Sequence, residues 1–106
     1  MAIYKNISSG TTTTLITKNV GAGGIRKITI ANVDGHQADN VCLFLEDETA
    51  STSTDAGNIK YYFFKDIDIP YGTSLVLEDN LSFNSSIYTL KLLNAGSAPA
   101  LTVIIK

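Results

Sequence analysis

The chain has 106 residues and a formal net charge of −2, and 44% of its residues are hydrophobic while 17% are charged. This length predicts one domain, and the acidic isoelectric point of about 5.1 argues against a nucleic acid as partner. Mean hydropathy is +0.14, yet no run approaches the ~20 apolar residues of a membrane helix. Cys42 is the only cysteine, which excludes a disulfide framework.

The start of the chain has none of the features of a targeting segment. A secretory signal needs a basic start and then roughly 7–15 apolar residues, whereas Ser8, Ser9 and Gly10 follow soon after Met1. The first arginine, Arg26, comes too late for a mitochondrial transit peptide. We therefore expect a protein that is made and assembled in the cytoplasm of its host.

Short β-rich runs, separated by Gly, Asn, Asp and Ser, follow one another along the chain without helical spacing. They predict eight strands, at residues 3–7, 13–17, 25–33, 41–47, 59–67, 74–78, 87–93 and 101–105. Strands of this number and spacing predict an all-β fold, a single-domain antiparallel β-sandwich of the jelly-roll or immunoglobulin-like kind.

The glycine-rich stretch 20–24 separates the first two strands from the rest. We interpret it as a flexible hinge, which predicts an N-terminal arm at 1–20 that is detachable or exchanged between subunits, beside a β-sandwich domain at 21–106. A dinucleotide fingerprint is rejected because Arg26 stands where its third glycine belongs, and because a strand pattern follows.

Side-chain alternation predicts which strands are half-buried. Ile28 and Ile30 share one face of their run, as half-buried strands require. The runs 41–45 and 61–64 are instead apolar on both faces, so something other than the core has to cover one face of each. The cover is either the N-terminal arm or another subunit, and we favour another subunit. The small polar stretch 49–58 is predicted to be a mobile surface loop.

Two acidic clusters offer oxygen ligands for a divalent ion. Asp34, His36 and Asp39 lie within six residues, but their spacing is not that of an EF-hand, and an ordinary turn is the favoured interpretation. The run 46–48 is interpreted as an acidic strand end that discourages edge pairing. The same interpretation is given to the remaining carboxylates of this type, Asp66, Asp68, Glu78 and Asp79.

Neither catalysis nor a cofactor is indicated. There is no GxSxG elbow, and His36 is the only histidine that could act as base. Cys42 lies within an apolar run, where a thiol packs as a small hydrophobe. We expect no catalytic residues, no cofactor and no metal. A sugar-binding sandwich stays an alternative because aromatic rings are present, although Trp is absent; these rings are Tyr61, Tyr62, Phe63, Phe64 and Tyr71.

The segment 68–78, with its Pro70-Tyr71-Gly72-Thr73 turn before a strand, resembles small virion structural proteins of tailed bacteriophages, as in marine and cyanobacterial phages. The resemblance continues through the hairpin at 81–91, with its loop at 84–86, and the last strand at 101–105, and it includes the opening residues 1–6. It covers roughly 25–106 through the order of strands and turns.

The resemblance implies a non-enzymatic virion protein, and a capsid decoration (cement) protein that binds the major capsid protein lattice and stabilises the head is the first expectation. A neck, tail or fibre-attachment protein is the alternative. The implied partners are other phage structural proteins, with a homo-oligomer such as a trimer or ring, and without nucleic acid or membrane. Loops at 34–39 and 49–58 are the predicted contact loops.

Overall fold

The structure, a computed structural model, describes residues 2–8, 10–19, 24–51, 58–78, 81–95 and 99–106. This part of the chain is all β, and none of it forms a helix long and apolar enough to cross a membrane. The strands are β1 (Ile3–Ile7), β2 (Thr12–Ile16), β3 (Lys27–Asn32), β4 (Asp39–Ser51), β5 (Asn58–Ile69), β6 (Ser74–Glu78), β7 (Thr89–Asn94) and β8 (Leu101–Ile105). The predicted all-β fold is confirmed.

The eight strands form two antiparallel four-stranded sheets. Their orders are β1-β8-β3-β6 in the first sheet and β2-β7-β4-β5 in the second. Consecutive strands mostly alternate between the sheets, and only β4 and β5 are both consecutive and paired. This order is that of a jelly roll, in which two interlocked Greek keys form the sandwich, so the sequence alternative of an immunoglobulin-like order is wrong.

The core lies between the two sheets and is almost entirely aliphatic. Predicted alternation is confirmed for β3, where Ile28 and Ile30 are fully buried, and for β8, whose alternate residues are buried likewise. The other buried members of this cluster come from both sheets: Ile7, Leu15, Ile16, Ile25, Val41, Leu43, Ile69, Leu90, Leu92, Leu101, Val103 and Ile105. Burial of these side chains is the main favourable contribution to folding.

The first two strands are integrated into the sheets. β1 pairs along its whole length with β8, and β2 pairs with β7, so each occupies one edge of a sheet. Ile7, Leu15 and Ile16 contribute to the core. The division of the chain into 1–20 and 21–106 stays a prediction, and residues 20–23 of the proposed hinge lie outside the described residues.

β4 and β5 are longer than predicted. They continue past the end of β7 as a two-stranded ribbon, in which Asp47 lies opposite Ile59 and Ser51 lies opposite Asn58. The predicted loop 49–58 is therefore wrong at both ends, because cross-strand pairing extends the ladder through small polar residues that favour loops by composition. Residues 52–57, the rest of that loop, lie outside the described residues.

Two of the connections that pass from one sheet to the other contain turns that the sequence predicts. The predicted turn at Pro70-Tyr71-Gly72 is confirmed: Gly72 has a φ of 73°, and the Thr73 hydroxyl donates to the Pro70 carbonyl at 2.6 Å. The predicted hairpin loop at 84–86 is a turn, but it lies between β6 and β7, which belong to different sheets. It is therefore not a hairpin.

Candidate functional site

Among the described residues, four of the exposed large apolar side chains lie along β5, an edge strand whose one described neighbour is β4. Tyr61, Tyr62, Phe63 and Ile67 are 36–56% exposed. Of residues 61–64, only Phe64 packs against the core. A cluster of exposed apolar side chains on one strand of a small domain is typical of an interaction site.

The outer face of the β2-β7-β4-β5 sheet, which is the face turned away from the core, contains an aromatic pair. Phe44 of β4 and Tyr62 of β5 are cross-strand neighbours with ring centroids 5.3 Å apart. The Lys60 ammonium lies 5.5 Å from the Phe44 centroid, and the Lys65 ammonium lies 5.3 Å from that of Tyr62. Both lysines thus make cation–π contacts that hold positive charge over the rings.

A buried ion pair lies beside the aromatic pair. Glu46 accepts a hydrogen bond from the Lys91 ammonium, and the two side chains are only 11% and 16% exposed. Lys60 lies opposite Glu46 in the β4–β5 register. The interpretation of 46–48 as a solvated strand end is therefore wrong at Glu46. The strand continues beyond it, and its carboxylate pairs with Lys91 of β7.

Thr89 lies opposite Glu46 in the β4–β7 register and is 1% exposed. Its hydroxyl has no hydrogen-bond partner among the residues that the structure describes. A buried hydroxyl without a partner is destabilising, because the water that would solvate it in the unfolded chain is lost. Thr89 is therefore a destabilising member of the polar group that also contains Glu46 and Lys91.

Carboxylates occupy the other end of the same face. Asp66 has a φ of 57° at an irregular part of the β4–β5 pairing. Its N–H donates to the Cys42 sulfur at 3.3 Å, and the Cys42 thiol donates to its carboxylate at 3.6 Å. Asp68 accepts from the Asn40 amide at 2.9 Å. Cys42 is buried as expected, but it holds a bulge together in addition to packing as a small hydrophobe.

The predicted contact turn at 34–39 is built around an asparagine of β3. Asn32 is buried and donates to the carbonyls of Gln37 at 3.0 Å and Ile69 at 2.9 Å. Asp34 accepts from the His36 N–H at 2.8 Å, which is the hydrogen bond of an Asx turn. His36 is exposed, while Asp39 is buried at the start of β4. The structure therefore separates the three side chains that were considered as ion ligands.

The remaining acids and rings are distributed over the surface. Glu78 pairs with Lys27 at 3.3 Å on the opposite sheet, and Asp79 lies outside the described residues. Tyr71 is exposed in the turn after β5. Within the described residues there is no cavity and no group of three or more His, Cys, Asp and Glu side chains that could hold a metal.

The two runs that are apolar on both faces have different covers. On the outer face of β4, Cys42 and Phe44 are buried by β5 side chains of the same chain. The strands β1 and β2 are edge strands of the two sheets and do not cover that face. The rings of β5 remain exposed. Lys60, Lys65 and Lys91 were not predicted as residues of this face, although lysines interleaved with aromatic and acidic residues in strand runs are a signal for it.

Comparisons with known proteins show the fold. No protein-family model matches the chain, and no curated protein matches it in sequence. A chain of the infectious bursal disease virus particle, an icosahedral virus, matches with a TM-score of 0.54 and 12% identity over 99% of this chain and 30% of that chain. A chain of the Gt strain of that virus matches with a TM-score of 0.47 and 12% identity over 99% of this chain and 32% of that chain. The present chain thus spans about a third of the chains it matches, and the first likeness shows that a virus-particle protein contains the same fold.

Proposed function

We propose that this chain is a non-enzymatic structural subunit of a virus particle. The observation that carries the proposal is the jelly-roll strand order of this chain, together with a fold likeness to a chain of an icosahedral virus particle that covers 99% of this chain. The exposed apolar residues of β5 support an assembly role, because another protein surface would remove them from water.

Within that role we propose a capsid decoration (cement) protein of a tailed phage, present on the virion and bound to the lattice of the major capsid protein. Many weak contacts repeated over a symmetric shell give a high total affinity and stabilise the head. A trimer or ring is the form of homo-oligomer that fits a lattice axis. The alternative is a neck, tail or fibre-attachment protein of the same particle.

Quantitative mass spectrometry of purified particles measures the copy number of the chain and so distinguishes the two locations. A decoration protein is expected in hundreds of copies per particle, and particles that lack it should release their genome at a lower temperature. Tens of copies at most, with unchanged head stability, would favour the neck or tail. Absence of the chain from purified particles would overturn the virion role.

Carbohydrate binding is a second candidate, favoured by one observation. Tyr61, Tyr62 and Tyr71 are each at least 43% exposed, and aromatic rings at a protein surface can stack on sugars. The jelly roll is also a fold of lectin domains. A glycan array, followed by thermal unfolding with each bound glycan, tests this candidate. No glycan-dependent shift in the unfolding midpoint would remove it.

A further inference from the structure

We propose that the outer face of β4 and β5 is a self-complementary contact between two copies of this chain, related by a two-fold axis that passes near Phe64. The inference deepens the proposed structural role and rests on it, since it names a surface through which subunits associate, and it gives a two-fold dimer in place of the trimer or ring.

The outermost charged residues of β5 on this face, Lys60 and Asp68, have opposite signs. Lys60 and Lys65 lie over the rings of Phe44 and Tyr62, whereas Asp66 and Asp68 contact Cys42 and Asn40 further along the same side of β4. Asn40, Cys42 and Phe44 are alternate residues of one strand, so they share one face. Lys60 thus lies at one end of the β5 face and Asp68 at the other, and Lys65 and Asp66 are adjacent between them.

A two-fold axis makes this charge order complementary to itself. Lys60 and Asp68 are equally far along the chain from Phe64. An antiparallel second copy therefore places Lys60 of each subunit opposite Asp68 of the other. Such an interface is isologous and closes as a dimer, and each complementary charge contact is made twice.

The centre of the face is apolar, as the core of an interface is. Tyr62 is 43% exposed, and Leu93 of β7, which lies opposite Cys42 in the register, is 38% exposed.

Side-chain contact fits this strand better than continuous backbone pairing does. The β4–β5 register shifts between Val41 and Leu43 and again between Leu43 and Phe44, and Asp66 has a positive φ. Bulges and charged side chains at an edge strand prevent a second strand from adding in register. The second copy is therefore expected to pack on the face of the sheet, which gives a closed dimer and not an open fibre.

Charge reversal on the full chain tests the contact, with sedimentation velocity as the measurement of self-association. Lys60→Glu and Asp68→Lys should each raise the dimer dissociation constant by about tenfold or more, because each places two like-charge pairs in the interface. The double variant Lys60→Glu/Asp68→Lys restores opposite charges and should return to within about threefold of the original chain. Lys5→Glu, the same charge change on an exposed residue of the other sheet, is the control and should leave association unchanged.

The outcomes separate the contact from the proposed function. Dissociation by both single variants with rescue by the double variant supports the contact, whether or not the chain is found on particles. Since Lys60→Glu also brings a carboxylate opposite Glu46, Asp68→Lys provides the second single variant if the first unfolds. A monomeric original chain at ~100 μM, or single variants that associate like the control, would overturn the contact and would leave the particle assay to decide the virion role.

Discussion

Removal of the Lys91 ammonium tests how the outer face of β4 is stabilised. The Glu46 and Lys91 side chains are 11% and 16% exposed, whereas those of the Lys27–Glu78 pair on the other sheet are 46% and 67% exposed. Lys91→Met keeps the apolar stem of the side chain but leaves the Glu46 carboxylate without its partner. Lys27→Met makes the same chemical change in the exposed pair and is therefore a matched control.

The expected loss in the free energy of unfolding follows from the burial of the ion pair. Breaking a fully buried pair by removing one partner costs about 3–5 kcal/mol, because a charge remains buried without compensation. Lys60 lies opposite Glu46 and keeps a positive charge nearby, so we expect Lys91→Met to lower the free energy of unfolding by about 2–3 kcal/mol. Lys27→Met should cost less than about 0.5 kcal/mol, since an exposed pair is screened by solvent.

Urea unfolding followed by circular dichroism measures both variants, since the chain has no tryptophan to report by fluorescence. Lys91→Met should lower the thermal midpoint by roughly 10 °C or more. The double variant Glu46→Leu/Lys91→Met should recover to within about 1 kcal/mol of the original chain, because no charge is left buried. A cost for Lys91→Met that equals that of Lys27→Met would refute the argument from burial.

Three further substitutions test separate parts of the fold in the same unfolding assay. Thr89→Val removes a buried hydroxyl that has no partner, so the free energy of unfolding should rise by about 1 kcal/mol, and a decrease would show that the hydroxyl is hydrogen-bonded. Asn32→Ala should cost about 3 kcal/mol, because it leaves the carbonyls of Gln37 and Ile69 without their donor. Gly72→Ala should cost about 1–2 kcal/mol owing to the φ of 73° alone, since a Cβ there meets no atom within 4 Å, and an unchanged stability would show that the turn relaxes.

The sequence determined the strands because the relevant information is local. Period-two alternation at Ile28 and Ile30, and β-branched residues between Gly, Asn and Asp, specify extended segments with one buried face. The turn at Gly72 is equally local, since it depends on residues next to one another. An all-β sandwich of about eight strands follows from these features without knowledge of which strands pair.

Tertiary structure alone decided the strand order and the composition of the outer face. Pairing of β1 with β8 joins the two ends of the chain, and no feature near either strand specifies that partner. Likewise Glu46 is typical of a solvated strand end by its neighbours in sequence, yet β7 brings Lys91 against it from 45 residues away. The order of charges on β5 is visible in the sequence, but its position on one face depends on the contacts with β4. Long-range pairing is set by the sum of many contacts across the core, which is why the fold class could be predicted and the strand order could not.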